Sequence, residues 1–295
     1  MRLSFVLVSI AAALMLFSLS SYSQTLTSGF VETEGEQIYY EVTGTGPPVV
    51  LCHGLGGNHA IWYQQVPALS QEYQVITWDQ RGFGRSTNEN KKSSPMTAVR
   101  DLMALLDHLH IEKAHLIGQS MGGWAVMGFA LEMPQRVITV TLADTIGGIY
   151  TREIGELFDA FIQHAMQSLP PDKLPITQHP AVGAELTESD PAKAFLYKQI
   201  GSIAPPPPAN MGLLLRQTAY DPGRILAFNL PVLFIVGEND PIFPHAAVKD
   251  AARQIKYAKL RLIPDTGHSP YFEDPDAWND IVLGFLKVNT KKKPE

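Results

Sequence analysis

Short apolar runs recur along the chain, with room for a helix between one and the next. Val49–Cys52, Val75–Trp78, Ala114–Ile117, Val137–Leu142, Val232–Val236 and Leu260–Ile263 are rich in β-branched residues. Most are continuous rather than alternating, which suits the strands of a parallel sheet covered on both faces. Ahead of them, Gly29–Glu34 and Gln37–Val42 are extended runs separated by Gly35-Glu36, a pattern that predicts an antiparallel hairpin at a sheet edge. The clearest helix is predicted over Thr97–His110, where Val99, Leu102, Met103, Leu105, Leu106 and Leu109 give a broad apolar face. Strand and helix signals alternate, so the class is α/β and chemistry is expected at the carboxyl ends of the strands.

The alternation breaks between Ile146 and Gly223. There, helical stretches such as Glu153–Ser168 are interrupted by Pro170-Pro171 and Pro205–Pro208. This segment reads as an inserted cap covering the strand ends and filtering substrates, against the alternative of a helical excursion with no selective role. The expected organisation is a core of residues 24–145 and 224–288, a helical cap of residues 146–223, and a polar C-terminal tail of residues 289–295.

Residues 1–23 read as an address rather than as fold. Arg2 precedes the apolar stretch Leu3–Leu19, and Ser21 and Ser23 are small residues at positions −3 and −1 of a cut before Gln24. The expectation is a cleaved signal peptide and a secreted or periplasmic protein, with an uncleaved membrane anchor as the alternative. Ser4, Ser9 and Ser18, together with the shortness of the stretch, favour cleavage, which leaves no stable membrane span.

With 295 residues, 45% apolar and 18% charged, the chain has the composition of an ordinary soluble protein with a large core. A net charge of −6 without a basic face argues against nucleic acid as a partner. Lys291-Lys292-Lys293 lies in the polar tail and reads as a solvated end. Cys52 is the single cysteine, so no intramolecular disulfide is possible; its apolar neighbours mark it as buried and inert.

The candidate chemistry begins at Gly118-Gln119-Ser120-Met121-Gly122-Gly123, which follows a predicted strand and precedes a helix-like segment, Trp124–Glu132. A serine hydroxyl needs exposure and a base before it attacks, and a sharp strand-to-helix turn supplies the exposure. Gly118 and Gly122 lack the Cβ that would keep strand and helix apart. The competing reading makes Ser120 a helix cap. His268, in Asp265-Thr266-Gly267-His268 after the last predicted strand, is the candidate base. Asp240, in Gly237-Glu238-Asn239-Asp240-Pro241, is the preferred acid, with Glu238 and Asp144 as alternatives; Asp79 and Asp265 are assigned to loop structure. The run His53-Gly54-Leu55-Gly56-Gly57-Asn58 supplies half of an oxyanion hole through the Leu55 N–H, the other half being the Met121 N–H.

Together with Trp78-Asp79-Gln80-Arg81-Gly82-Phe83-Gly84-Arg85-Ser86, these residues resemble the α/β-hydrolase superfamily over about Phe30–Leu286. The resemblance implies a mostly parallel eight-stranded sheet flanked by helices, a helical cap after the sixth strand, and no cofactor. It carries the triad onto Ser120, Asp240 and His268, and the oxyanion pair onto Leu55 and Met121. Serine at the elbow separates the chain from the superfamily's epoxide hydrolases and haloalkane dehalogenases, which attack with aspartate. In parts the sequence is similar to esterases, enol-lactonases, cofactor-free haloperoxidases and meta-cleavage-product hydrolases. The last group usually carries Asn before the serine, where this chain has Gln119, and Ser-Gly-Pro-Gly does not follow His53.

The expected reaction is cleavage of a small, apolar carboxylic ester or lactone through an acyl-enzyme. Carbon–carbon hydrolysis and ligand binding without turnover are the alternatives. Trp124, Ile146, Phe161 and Phe243 are expected pocket walls, with Trp62 and Phe195 as further candidates, and Arg216 reads either as a surface residue or as a partner for a substrate carboxylate. No metal is expected, since His-Glu-x-x-His is absent and the histidines are scattered.

Overall fold

The structure, a computed structural model, describes residues 25–157, 174–203, 205–206 and 208–290. The expected signal peptide and the candidate wall residue Phe161 lie outside the described residues. Eight strands form one sheet: β1 (Leu26–Thr33), β2 (Glu36–Thr43), β3 (Pro48–Cys52), β4 (Gln74–Trp78), β5 (Ala114–Gln119), β6 (Val137–Ala143), β7 (Val232–Gly237) and β8 (Lys259–Ile263). Their spatial order is β1-β2-β4-β3-β5-β6-β7-β8. β1 and β2 form the expected edge hairpin, β2 also runs antiparallel to β4, and all other pairs are parallel.

β3 has β4 on one side and β5 on the other, so the chain reverses its direction of travel across the sheet at β3. A crevice opens where two neighbouring strands send their following loops apart, and it opens here above Cys52 and Gly118, which are register partners. The register also aligns Gln119 with Ala143 and Gly237 with Ile263, bringing the carboxyl ends of β3, β5, β6, β7 and β8 to one edge.

Both faces of the sheet are covered. Helix α1 (Pro95–His108) buries Leu102, Leu105 and Leu106 completely beside α2 (Gly122–Glu132), in a core shared with Val50, Ile76, Leu116 and Val140. Each such leucine contributes about 1.5–3 kcal/mol by leaving water. The opposite face packs Leu51, Val75, Ile117 and Ile235 with Trp62, Trp278 and Leu286.

α1 begins two residues before its predicted start. Ser94 and Thr97 cap each other's backbone N–H groups, and Pro95, whose fixed φ suits a first turn, enters the helix behind them. His110, expected in the helix, instead takes φ +54° beyond its end. Between β6 and β7 the chain leaves the sheet and forms α3 (Ala184–Ser189), α4 (Pro191–Ser202) and α5 (Met211–Gln217). α6 (His245–Arg253) follows β7, and α7 (Pro275–Thr290) closes the described chain. Asn289 and Thr290, expected in a polar tail, belong to α7, because Asn289 is buried and the Thr290 hydroxyl meets His115 across the sheet face. No helix among the described residues is long and apolar enough to cross a membrane.

Candidate active site

Ser120 stands between β5 and α2 with φ +50°, a left-handed backbone that side chains other than glycine adopt at a cost of about 1–3 kcal/mol. The turn is held by the Ser120 N–H donating to Ala143 O at 2.9 Å and the Gly123 N–H donating to Ser120 O at 2.9 Å. A Cβ on Gly118 would overlap the backbone of Gly122, and one on Gly122 would overlap the carbonyl of Cys52. Strand and helix therefore meet backbone to backbone, as the motif requires. A capping role does not describe Ser120: Met121 occupies the cap position of α2, which has no side-chain cap, whereas a capping serine keeps an extended backbone.

The loop after β3 lies against this turn. The Gly57 N–H donates to Gly54 O at 3.1 Å, with Gly56 at φ +78° in the third position, where a type II turn needs a left-handed residue. Leu55 occupies the second position, and its N–H takes no part in the turn bond. His53 braces the loop from beneath. Its Nε2 accepts from the Gln80 N–H at 3.0 Å, which puts the ring proton on Nδ1, 2.8 Å from Gly54 O. Burial pushes this imidazole below its usual range, so it serves as a neutral strut.

Asp240 and His268 are paired. His268 Nδ1 lies 2.9 Å from Asp240 Oδ2, and both side chains are buried. The other oxygen of Asp240 accepts the N–H groups of Ile242 at 2.8 Å and Phe243 at 3.0 Å, which fixes the plane of the carboxylate. The two loops that carry the pair are tied at their bases by the Glu238 N–H to Ile263 O and the Asn239 N–H to Thr266 O. Gln119, immediately before the serine, donates from Nε2 to His268 O at 3.1 Å and so links the turn to the histidine loop. Phe243 stacks on the His268 ring at 5.6 Å between centroids.

The alternative acids occupy other environments. Glu238 is exposed and lies 3.5 Å from the Asp265 N–H. Asp144 is fully buried and offers an oxygen within 4.8 Å of ligand-type atoms of both Asp240 and His268, yet its Oδ1 accepts the Gly237 N–H at 2.9 Å. Burial first, and then the nearby Asp240 carboxylate, raise Asp144 well above the usual carboxylate range, which favours its neutral form. Asp79 serves loop structure as expected: Oδ1 accepts from the His59 N–H and faces His59 Nδ1, while Oδ2 accepts from the Arg85 N–H. Burial pushes Cys52 up to about 12, as expected of an inert thiol.

A mainly apolar cavity of about 750 Å³ opens over the strand ends, and Leu55, Ser120, Trp124, Phe243 and His268 all line it. Met121 lies buried just behind this wall. Ile146 and Trp62, expected as walls, are instead wholly buried in the cores on the two faces of the sheet, and Phe195 is exposed away from the cavity. The helical segment between β6 and β7 contributes Arg216, read from the sequence as either a surface residue or a partner for a substrate carboxylate, and walls that the sequence did not single out, among them Tyr150, His179, Tyr197 and Leu215. His179 Nδ1 accepts the Ala181 N–H at 3.1 Å, and burial lowers the ring to about 4, so it is a neutral group with its proton on Nε2. Only Gln119, adjoining Ser120, carried a positional signal; the others come from a segment without regular period.

Residues 47–275 match the family described as the alpha/beta hydrolase fold. The chain is 30% identical over 261 residues to the dihydrolipoyllysine-residue acetyltransferase component of the acetoin cleaving system of Pseudomonas putida, with 84% of the chain aligned over 66% of that protein's length. It is 26% identical over 258 residues to 3-oxoadipate enol-lactonase 1 of Acinetobacter baylyi, covering 86% of the chain and 94% of the relative. Among solved structures, a thermophilic esterase from Thermogutta terrifontis superposes with a TM-score of 0.74 at 28% identity, covering 89% of this chain and 98% of that one. Since the family match takes in β3 through β8 and every loop that borders the cavity, the chain belongs to the alpha/beta hydrolase fold family.

Proposed function

We propose that this protein is a serine hydrolase that cleaves small, apolar carboxylic esters or lactones through an acyl-enzyme. The observation that carries the reading is the left-handed Ser120 in the wall of the same cavity as His268, whose Nδ1 is committed to Asp240. With Nδ1 engaged, Nε2 is the nitrogen left to take the Ser120 proton as Oγ attacks the carbonyl carbon. The oxyanion so formed meets the N–H groups of Leu55 and Met121, each such donor lowering the barrier by roughly 3 kcal/mol. The imidazolium then protonates the departing alkoxide; water, deprotonated by the same nitrogen, releases the acid and restores Ser120. The apolar walls favour an uncharged acyl group, and the esterase and enol-lactonase among similar proteins support this substrate class.

The proposal includes export, with residues 1–23 removed as a signal peptide; N-terminal sequencing of protein recovered outside the cytoplasm tests it, and a retained Met1 there would overturn it. The activity is tested by intact-mass analysis after incubation with a fluorophosphonate probe. A single adduct is expected on the native protein, none on Ser120→Ala, and slow labelling on His268→Ala. Ser120→Ala is also expected to lose ester and lactone turnover while keeping its circular dichroism spectrum; full activity in that variant would refute the assignment.

A further inference from the structure

Glu273 ends the short helix Pro270–Glu273, five residues after His268, and no step of the proposed reaction uses it. Three backbone N–H groups converge on its carboxylate. Oε1 accepts from Ser269 at 3.0 Å, while Oε2 accepts from Gly267 at 2.9 Å and Gly183 at 3.0 Å. Gly267 and Ser269 flank His268 in the chain, whereas Gly183 belongs to the segment between β6 and β7, at the start of α3. One oxygen thus holds the histidine loop and the helical segment together.

The glycines show how closely the two backbones approach. A Cβ on Gly267 would lie 2.6 Å from Gly183 N, and one on Gly183 would lie 2.7 Å from Glu273 Oε2 and 3.0 Å from Gly267 N. On the far side, a Cβ on Gly237 would overlap Gly267 O. The histidine loop is therefore clasped between the end of β7 and the helical segment, with no side chain of its own at Gly267 to act as a spacer. A carboxylate with two acceptor oxygens suits three converging donors, and an amide with one oxygen does not.

We infer that Glu273 is a positioning residue that couples the seating of the helical segment to the placement of His268. Asp240 orients the imidazole ring; Glu273 orients the backbone from which the ring projects. If the helical segment shifts at Gly183, the Oε2 contact that also fixes Gly267 is disturbed, and the base moves relative to Ser120. Displacements of about 1 Å at a reacting group cost up to roughly 100-fold in rate.

The inference rests on His268 being the base, and the experiment separates the two. Hydrolysis of p-nitrophenyl acetate, an ester too small to depend on the distant walls, is measured together with the rate of fluorophosphonate labelling. The proteins compared are the native chain, His268→Ala, Glu273→Gln and Gly183→Ala. Glu273→Gln is expected to lower kcat roughly 10-fold or more, with KM within about threefold, and to slow labelling in parallel. Gly183→Ala, whose φ of −64° suits alanine, sets a methyl group against Glu273 Oε2 and Gly267 N, so it spreads the clasp from the helical segment while leaving Glu273 in place, and is expected to lower kcat in the same manner. Unchanged kcat in folded Glu273→Gln, or a change in KM alone in Gly183→Ala, overturns the coupling. Should Glu273→Gln fail to fold, Gly183→Ala decides. Native-rate labelling in His268→Ala refutes the assignment of the base instead, whatever the other two variants do.

Discussion

Asp144 and Asp240 follow neighbouring strands, β6 and β7, yet their carboxyls meet different surroundings. Asp240 receives two backbone N–H groups on one oxygen and the His268 ring on the other. Asp144 receives one N–H, and burial, followed by the Asp240 carboxylate beside it, favours its neutral form. A neutral carboxyl resembles an amide in shape and hydrogen-bonding capacity. Asp144→Asn is therefore expected to keep kcat within a few-fold, while Asp240→Asn, which leaves the imidazole without its orienting anion, is expected to lose roughly 10⁴-fold. Steady-state kinetics on one ester compare the two, and the reverse order would make Asp144 the acid. The sequence offered both residues at strand ends; in the fold it is Asp240 that meets His268 Nδ1 at 2.9 Å.

At the scale of elements, the strand–turn–helix unit around Ser120 depends on absent side chains. Gly122 places its backbone against the Cys52 carbonyl at the end of β3, so a methyl group there has to push α2 off the sheet. Overpacking of this kind costs about 1–3 kcal/mol. Gly122→Ala is expected to lower the urea midpoint accordingly and to reduce labelling of Ser120, because the turn that holds φ +50° is built on that contact. A midpoint equal to that of the native protein would show that the contact carries no strain. The strand runs and the hairpin were legible because short apolar runs rich in β-branched residues, too brief for a buried helix and spaced with room for one between them, suit strands. The start of α1 was not, because Ser94 and Thr97 act through hydrogen bonds ahead of the apolar face.

Across the whole molecule, His115 joins β5 to the end of α7 through hydroxyl groups, with Nδ1 2.8 Å from Thr139 Oγ1 and Nε2 3.0 Å from Thr290 Oγ1. Burial lowers this imidazole from 6.5 to about 4. Between those values the unfolded chain binds a proton that the folded one rejects, so the stability it contributes is complete above pH 6.5 and falls as the pH drops toward 4. The slope is about 1.4 kcal/mol per pH unit for one group, up to about 3 kcal/mol in all. His179 and His53 shift in the same direction and add to the fall. His115→Gln, which keeps hydrogen-bonding capacity without titrating, is expected to flatten urea stability between pH 4.5 and 6.5 relative to the native protein. An unaltered slope would place the acid sensitivity elsewhere.

The α/β class, the strand positions and the strand-to-helix turn at Ser120 follow from the sequence alone, because each depends on local spacing and on glycines at fixed offsets, whereas the acid behind His268 stayed open among Asp240, Glu238 and Asp144. What depends on distant segments meeting came from the packed fold. It assigned Ile146 and Trp62 to the cores and Tyr150, His179 and Tyr197 to the cavity, and it buried Asp144 beside Asp240. It also converged Gly183, Gly267 and Ser269 on Glu273. Burial and the direction of a hydrogen bond are properties of neighbours in space, and residues 84 apart, such as Gly183 and Gly267, carry no periodic signal of their contact.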